Sequence, residues 1–388
     1  MGIKDLSTIF HDSGAQLLHP LLKLCRTRVA VDCGSILYPN WQVAVQQACN
    51  TNGVNLVIED PDYNTIRNHF ISISIRKLLT LLSHGIHPVC VFDGTAPPEK
   101  YETQQKRKKS EESRYEKFHR LRVEGQNLPL LSPQKQDYHK EMMKYISSIY
   151  PKTRKDDEWI MKQLSLLGFP VIQAKYEADS LCASLEVNGF VSTVLTSDTD
   201  ILCYGVKGFI RDLTDMRASL VDRKGINYSS KLCQYVDLNT ILEANGFDFN
   251  MFRDFCIMLG CDYNERIYRI GYKKSLAQIS TYGSIDNLKL DTTPLNHHRC
   301  REIFESINLS QNVDSDNSIQ VQECSPLVSD TEIDGIILRL DFNWAQAHNC
   351  NNFDIDSNIC KEVSINSSHM LRLIQSLNPD ELTESDSY

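Results

Sequence analysis

The sequence predicts an α/β fold, in which a mostly parallel central sheet carries helices on both faces. Apolar strands recur at residues 27–32, 86–94 and 192–200, and each runs into acidic residues. Segments with apolar residues at helical spacing, such as Asn68–Ser83, lie between these strands. Strands that alternate with helices are typical of a parallel sheet, because parallel neighbours need a long crossover connection. Ligands of such sheets bind beyond the carboxyl ends of the strands, so we expect the acidic residues to converge there.

The three strands bring four carboxylates to that edge. TRVAVD ends in Asp32, and CGSILY after it has the character of a helix start. IHPVCVFDG repeats the pattern with Asp93, and STVLTSDTD carries Asp198 and Asp200 just past its apolar residues. An isolated aspartate in such a place is more often a helix cap or a turn residue. The repetition on three strands favours a shared site instead.

Two further acids, Glu177 and Asp179, open the helix EADSLCASLEVNG, which follows another helical stripe at Trp159–Gly168. Acids in a first turn face the positive end of the helix dipole and can lean toward a cation. Crowded carboxylates raise one another's pKa unless a cation neutralises them, and oxygen ligands suit a hard ion such as Mg²⁺. Solvated surface acids are the alternative interpretation, but the flanking LCASL and STVL are core-like.

A helix–turn–helix element is predicted after residue 250. The helix FRDFCIMLG ends at Gly260 and is followed by Cys261-Asp262-Tyr263. RIYRIGYKKSLAQI then predicts a turn at Gly271 and a helix that opens with Lys273 and Lys274. Elements of this size often hold backbone phosphates through turn amides and the start of the second helix.

The segment from Lys100 to about Lys155 differs in character, because it is charged, favours helix and carries KRKK at 106–109. Its apolar residues are too sparse for full burial, so we expect a helix that stands out beside the site. NLPLLSPQ interrupts it, and a second helix is expected from about Tyr138. A basic run is often only a solvated face or a nuclear import signal. Its position favours contact with nucleic acid.

The net charge of −9 is unevenly distributed along the chain. Residues 301–388 hold 16 acidic and 4 basic residues, which leaves residues 1–300 with a net charge of +3. A phosphate backbone responds to local rather than total charge, so nucleic acid remains a plausible partner. The acidic region is expected to be a solubilising or partner-binding segment, partly disordered.

Composition also indicates the cellular compartment in which the protein is expected. No apolar run has the length of a membrane span, and MGIKDLSTIFHDSG is not a secretory signal. The 13 cysteines include no CxxC pair, and most, such as Cys25 and Cys90, lie in apolar runs. This pattern predicts reduced, buried thiols in an intracellular protein. The nucleus is the expected compartment, since the basic run at 106–109 is also typical of a nuclear import signal.

The motifs together resemble those of the flap endonuclease/XPG family of structure-specific 5′ nucleases. MGIKDL, AVDCGSILY, PVCVFDG, YEADSLCASL, TSDTDILCYG and LGCDY stand in the family order, from Met1 to about Leu290. The resemblance implies a PIN-like 5′-nuclease core, a helical arch and a helix–two-turn–helix element that binds DNA. The expected regions are an N-terminal nuclease region (1–107), the arch (108–155), an internal nuclease region (156–245), the helix–two-turn–helix element (246–290) and the acidic region (291–388).

The resemblance also implies two Mg²⁺ ions per chain, with Mn²⁺ able to substitute. Asp179 stands where the family favours Glu, and its shorter side chain leaves room for a water molecule. Among the ligands, Asp200 is expected to be essential for catalysis, and Lys100 and Arg107 would face the scissile phosphate. The ligands implied for the first ion are Asp32, Asp93, Glu177 and Asp179, and those for the second are Asp198, Asp200 and Asp262.

Family positions also imply contacts with DNA. Tyr38 matches an aromatic residue on which a terminal base stacks, Lys77 matches a basic residue at the DNA strand, and Gly2 lies near the site. The chain departs from the family at Arg269, which replaces a glycine of the tight amide loop in the hairpin. The C-terminal region carries no sliding-clamp motif, so binding to a sliding clamp is not expected. The protein is expected to be a monomer. The remaining implied DNA contacts are Gly260, Gly271, Lys273 and Lys274.

The expected function is two-metal hydrolysis of phosphodiesters near 5′ flaps or branched DNA, as an endonuclease or 5′ exonuclease in replication, repair or recombination. One alternative is an inactive scaffold of the same family, which the seven acidic positions disfavour. A junction-resolving or RNA-directed nuclease of the same fold is the other.

Overall fold

The computed structural model describes residues 2–49, 62–129, 132–221 and 227–305. Met1 and residues 306–388, where a partly disordered solubilising or partner-binding segment is expected, lie outside the described residues. Within the described ranges, every helix is too short or too polar to cross a membrane.

A seven-stranded sheet forms the centre of the fold, in the order β1-β7-β6-β5-β2-β3-β4. β4, β3, β2, β5 and β6 run parallel to one another, whereas β7 is antiparallel to both of its neighbours. The sheet is therefore mostly parallel, as the sequence predicts. The strands are β1 (Gln16–Pro20), β2 (Arg28–Asp32), β3 (His87–Phe92), β4 (Val171–Gln173), β5 (Thr193–Leu195), β6 (Gly208–Val221) and β7 (Asn227–Asp237).

Helices cover both faces of this sheet. The described residues form α1 (Leu6–Asp12), α2 (Cys33–Cys49), α3 (Tyr63–Ser83), α4 (Tyr101–Gln126), α5 (Pro133–Met143), α6 (Arg154–Leu166), α7 (Ala178–Val187), α8 (Leu238–Asn245), α9 (Phe249–Leu259), α10 (Tyr272–Tyr282) and α11 (His297–Glu305). Short 3₁₀ helices lie at Leu21–Leu24, Pro98–Lys100, Ile146–Ser148, Thr199–Tyr204, Ile285–Asn287 and Thr293–Leu295.

Two separate cores confirm the predicted α/β class. On one face, Leu181 of α7 and Phe255 of α9 are fully buried in a single apolar cluster. On the other face, Trp41 of α2, Phe70 of α3 and Ile160 of α6 belong to a second cluster. The apolar strands are buried between the two layers, and this accounts for their lack of polar alternation.

The arch contains the predicted pair of helices. α4 spans 26 residues, of which Phe118 and Gly125 are the buried ones. α5 begins at Pro133 rather than near Tyr138, because Ser132 caps it and proline is favoured in a first turn. Since α4 starts at Tyr101, the boundary expected at residues 107/108 falls inside a helix. The boundary expected at residues 155/156 also falls inside a helix, because α6 spans it.

The long hairpin of β6 and β7 was not predicted from the sequence. Its outer part pairs Arg217 with Lys231 and Ser219 with Ser229, beyond a shift in register after Leu213. Few apolar residues mark this part, so neither strand shows the period-two alternation of a half-buried sheet. The expectation for the thiols is also partly wrong, since Cys25 is exposed while Cys90 is buried.

Arg269 adopts a left-handed backbone conformation, with a φ of 63°. The side chain makes a cation–π contact, with its guanidinium carbon 5.0 Å from the ring centre of Tyr268. This is the position at which relatives are expected to carry glycine. The turn between α9 and α10 therefore keeps a conformation suited to glycine at the cost of backbone strain.

Replacing Arg269 with glycine is expected to stabilise the protein by about 0.5–1 kcal/mol, since the relief of left-handed strain exceeds the entropy that glycine adds to the unfolded chain. Urea unfolding of both proteins measures the difference. Arg269→Ala is the matched control, because it removes the same side chain and keeps the strain. Equal stabilities for the glycine and alanine variants would contradict the explanation.

Candidate metal centre and active site

The carboxylates meet at the carboxyl edge of the parallel strands, as predicted. Asp32 is the last residue of β2, and Asp93 directly follows β3. Asp198 and Asp200 lie at the start of the 3₁₀ helix that follows β5. Because β2 pairs in parallel with both β3 and β5, these ends are neighbours in the sheet.

Asp32 is held by one group in the first turn of α2 and by one directly after β5. Its Oδ2 accepts a hydrogen bond of 2.7 Å from Thr196 Oγ1, and its Oδ1 accepts one of 3.1 Å from the amide of Ser35. The hydroxyls of Ser35 and Thr196 lie 2.9 Å apart. Neither hydroxyl residue was singled out in the sequence. Their positions after strands that end in acids are the signal that could have found them.

A hydrogen bond connects the start of α7 to the residue that follows β3. The amide of Ala178 donates a hydrogen bond of 2.8 Å to Asp93 Oδ1. Glu177 stands at the N-cap of the same helix, where its carboxylate accepts a hydrogen bond from Tyr263 Oη. Tyr263 belongs to the LGCDY motif, but its sequence position alone gave no reason to assign it a role. The helix start therefore aligns carboxylates from two elements.

Two basic residues at the base of the arch contact these carboxylates. Lys100 Nζ forms an ion pair with Glu177 and lies 3.4 Å from Asp262 Oδ2. Arg107 Nη2 donates a hydrogen bond of 2.7 Å to the same oxygen of Asp262. Thr103, which lies between them, donates to the carbonyl oxygen of Asp262 at 3.0 Å. The first turns of α4 thus lie directly over the carboxylates.

Burial makes the charged forms of these acids costly. It raises the pKa of Asp179 well above its ordinary value, and the charges of Asp32 and Asp198 raise it further. Burial likewise raises the pKa of Asp200, with the charge of Asp198 next in importance. The pKa of Glu177 is raised by burial and lowered in part by Lys100.

Two carboxylate oxygens at the centre have no hydrogen-bond partner in the part of the chain that the structure describes. Asp179 Oδ1 and Asp200 Oδ1 are buried and have no hydrogen-bond partner among the described residues. Unpartnered carboxylate oxygens in a buried site are unstable unless a cation or water binds them. The donor set is entirely oxygen, so the residues fit a hard divalent cation.

Two glycines lie directly beside the carboxylates, where a larger side chain would collide with them. A Cβ placed on Gly34 would lie 2.5 Å from Asp93 Oδ2 and 3.3 Å from Asp32 Oδ1. A Cβ on Gly2 would lie 2.1 Å from Asp198 Oδ1 and 2.7 Å from Asp200 Oδ1. Gly34 was not singled out in the sequence. The two glycines border the two sets of acids that were assigned to separate ions.

Gly2→Ala is expected to weaken divalent-cation binding by about 10–100-fold, the range seen when groups around metal ligands are disturbed. The added methyl would displace Asp198 and Asp200, whose carboxylates are buried. Calorimetric titration with Mg²⁺ measures the loss. Gly14→Ala is the matched control, because Gly14 also has a positive φ, 67°, but no atom lies within 4 Å of the place that its methyl group would take. Equal effects of both substitutions would contradict the steric explanation.

The expected DNA-contact residues are placed as follows around this centre. Tyr38 on α2 is 37% exposed, so it is not an ordinary core residue, and Lys152 Nζ lies 6.0 Å from its ring centre. Lys77 on α3 has its Nζ 3.8 Å from Asp212 of β6, a contact that does not join it to the carboxylates. Gly2, by contrast, lies against two of the acids.

The helix–two-turn–helix element is formed by α9, the following turn and α10. Gly260 ends α9 with a φ of 85°, and Arg266 packs against it. Gly271 caps α10 in an extended conformation, and no neighbour lies within 4 Å of its Cβ position, so nothing in its surroundings requires glycine. Lys273 and Lys274 are exposed in the first turn of α10, as expected.

Comparison with known proteins agrees with this arrangement. The XPG N-terminal domain matches residues 1–114, and the XPG I-region matches residues 168–262. A RAD2-like endonuclease of Invertebrate iridescent virus 3 is 27% identical over 372 residues, covering 83% of this chain and 92% of the relative. Flap endonuclease 1 of Naegleria gruberi is 30% identical over 290 residues, covering 74% of this chain and 67% of the relative. The chain thus spans about two thirds of that flap endonuclease.

Solved structures with similar folds include flap endonuclease-1 from Methanococcus jannaschii, with 22% identity and a TM-score of 0.49. That similarity covers 94% of this chain and 97% of the other. The matching family regions contain all seven acidic positions, and the identity to the Naegleria gruberi relative extends over three quarters of the sequence. The chain belongs to the flap endonuclease/XPG family of nucleases.

Proposed function

We propose that the protein is a divalent-metal-dependent, structure-specific DNA endonuclease that hydrolyses phosphodiesters near 5′ flaps or other branches. The observation that carries the proposal is the set of seven acids beneath the arch, with two buried oxygens that have no partner among the described residues. Family membership supports the nuclease class. We further propose that the cation is magnesium, that two ions are used and that flaps are preferred.

The position of each residue in the site determines the role that we propose for it. Asp32, Asp93, Glu177 and Asp179 would hold one cation, and Asp198, Asp200 and Asp262 the other. When bound, such ions lower the pKa of a water nucleophile and stabilise charge on the leaving oxygen. Lys100 forms an ion pair with Glu177, and Arg107 forms one with Asp262. With the charges of those acids neutralised, Lys100 and Arg107 would be available to face the scissile phosphate and stabilise its developing charge.

Substrate positioning would fall to groups outside the carboxylate cluster. Tyr38 is exposed and offers a ring on which a base can stack, a contact worth about 1–3 kcal/mol per base. Lys273 and Lys274 stand at the start of α10, where helix amides and basic side chains favour a backbone phosphate. We propose that the protein acts as a monomer, without a sliding clamp, inside the nucleus.

The two alternatives predict different activities. An inactive scaffold would bind branched DNA without cutting it, and the presence of all seven acids in one cluster argues against it. A junction-resolving or RNA-directed nuclease would cut other substrates with the same centre. The family motifs do not separate this second alternative from a flap endonuclease, so substrate choice has to be measured.

The test offers purified protein with Mg²⁺ a set of 5′-flap, nicked, gapped, Holliday-junction, single-stranded and RNA substrates. The expected result is metal-dependent cleavage near the base of the flap, faster than on single strands. No cleavage of any substrate would overturn the assignment as an enzyme. Equal cleavage of flaps and single strands would overturn structure specificity, and a preference for junctions or RNA would favour the second alternative.

Magnesium is expected to raise the melting temperature more at about pH 7.5 than at about pH 5.5. The pKa values of Asp32, Asp179, Asp198 and Asp200 are all raised, chiefly by burial. Without metal, the folded protein is therefore stabilised by protonation at low pH and loses that stability as pH rises through the raised pKa values. Mg²⁺ binds the ionised forms and restores the loss.

Thermal unfolding with EDTA or with Mg²⁺ at both pH values measures this difference. Calcium, a larger hard cation of equal charge that also binds through oxygen, serves as the control for ion size. A shift in melting temperature that is independent of pH would contradict ligation by these acids.

A further inference from the structure

A second group of metal-ligating side chains lies outside the carboxylate centre. Asp286 is in the 3₁₀ helix Ile285–Asn287 that follows α10, and His297 and His298 are the first residues of α11. One ligand atom from each residue can be chosen so that all three lie within 4.8 Å of one another. The group is not part of any family motif noted in the sequence.

The distances match those of a small, nitrogen-rich site. Asp286 Oδ1 lies 2.9 Å from His297 Nε2 and 3.8 Å from His298 Nε2. Ligands of a tetrahedral Zn²⁺ with bonds of about 2.0–2.1 Å are about 3.3–3.4 Å apart, and the two distances bracket this value. The imidazole ring centres are 4.1 Å apart and the rings are inclined by 36°, so the two rings are close neighbours.

The other carboxylate oxygen is already held in place. Asp286 Oδ2 accepts hydrogen bonds from Arg301 Nη1 at 2.8 Å and from Ser284 Oγ at 2.9 Å. Arg301 is in turn fixed by two hydrogen bonds to the buried Asp254. The guanidinium is thus shared between two carboxylates, which leaves the group with a net negative charge. Contacts of this kind orient the ligands of metal sites.

We propose that Asp286, His297 and His298 form a binding site for a borderline divalent transition-metal ion such as Zn²⁺. Two imidazole nitrogens and one carboxylate oxygen suit Zn²⁺ and disfavour Mg²⁺, which prefers an all-oxygen octahedral shell. Three protein ligands leave a fourth position for water. This site is chemically distinct from the carboxylate centre and does not depend on the function proposed for it.

A cation there would link the end of the helix–two-turn–helix element to α11. Phe304 of α11 packs edge-on against Tyr204 and Tyr263, with ring centres 5.1 and 5.7 Å apart. Tyr263 donates a hydrogen bond to Glu177 of the carboxylate centre. The ion would therefore brace the helix that supports one wall of the active site. The expected role is structural.

The test titrates the full chain with Co²⁺ and Zn²⁺ in the presence of excess Mg²⁺. Four-coordinate Co²⁺ with histidine ligands absorbs strongly in the visible range, whereas Co²⁺ in an octahedral oxygen site absorbs weakly, so the spectrum separates the two centres. The expected result is one equivalent of the strongly absorbing form, displaced by Zn²⁺. Its binding is also expected to slow hydrogen exchange in α11.

His298→Ala is the main variant, because its side chain is 76% exposed and its loss leaves the core intact. We expect it to weaken binding of the strongly absorbing Co²⁺ at least about tenfold. His11→Ala is the matched control, since His11 is also exposed and is paired with an aspartate. His297→Ala, at a buried position, is expected to abolish the band.

Unchanged Co²⁺ absorption in His298→Ala would overturn the proposal, as would an equal loss in His11→Ala. Weak octahedral absorption alone in the wild-type protein would also overturn it, because it would place all bound Co²⁺ at oxygen ligands. Each of these outcomes is independent of nuclease activity.

Discussion

Asp200→Ala is expected to reduce the rate of phosphodiester cleavage by about a thousandfold or more, because metal stabilisation of transition-state charge is worth several kcal/mol. Asp200 is 6% exposed, and its Oδ1 has no partner among the described residues. Single-turnover cleavage of a flap substrate under saturating enzyme measures the change in rate.

DNA affinity should change little in Asp200→Ala, since the exposed lysines and Tyr38 are untouched. Asp215→Ala is the matched control, because its carboxylate is fully exposed on the hairpin and ion-paired with Lys231. It should leave cleavage unchanged. Substantial cleavage by the Asp200 variant would show that the second set of ligands is assigned incorrectly.

A conservative change at the same position separates charge from volume. Asp200→Asn keeps the side-chain volume and removes one of several crowded buried charges. Since burial and Asp198 raise the pKa of Asp200, the metal-free variant should melt at a higher temperature than the wild type at neutral pH. The stabilisation by Mg²⁺ should fall in the same variant. A lower melting temperature without metal would contradict the argument from crowding.

Lys100→Ala is expected to lower the cleavage rate by about 10²–10³-fold, the cost of losing one charge-stabilising donor in an active site. The Lys100 side chain is 14% exposed and contacts Glu177 and Asp262. Burial lowers the pKa of Lys100, but the carboxylates of Glu177, Asp179 and Asp262 outweigh it and raise the pKa above its ordinary value. The ammonium group therefore stays charged throughout the neutral range.

Single-turnover rates at saturating Mg²⁺ measure this loss, together with DNA affinity from fluorescence anisotropy. Lys106→Ala is the matched control, because it lies in the next turn of α4 and pairs with Glu265 at the surface. It should leave the rate nearly unchanged. Equal losses in both variants would mean that the general charge of the arch, and not the position of Lys100, supports catalysis.

Much of the carboxylate centre could be predicted from the sequence because the signals are local. Strand ends with Asp32, Asp93 and Asp198 follow from apolar runs that stop at an acid. A parallel sheet then brings such ends together by topology alone. The helix starting at Glu177 was likewise visible from its spacing.

Other features required the folded chain. Thr196 and Ser35 hold Asp32 from sequence separations of 164 and 3 residues, and a hydroxyl in a sequence carries no sign of its partner. The outer part of the β6–β7 hairpin lacks the apolar alternation that marks a strand. Helix starts were placed late at α5 and α6 because caps, rather than apolar spacing, set those ends.

By itself, the sequence determined the α/β class, the family and the identity of the acids, since each depends on local pattern or on motifs in order. Only the tertiary structure decided which oxygens lack partners, where Lys100 and Arg107 rest, and that Asp286, His297 and His298 converge. Distances between side chains from separate elements depend on how those elements pack. Packing is a property of the whole core, and no short stretch of sequence specifies it.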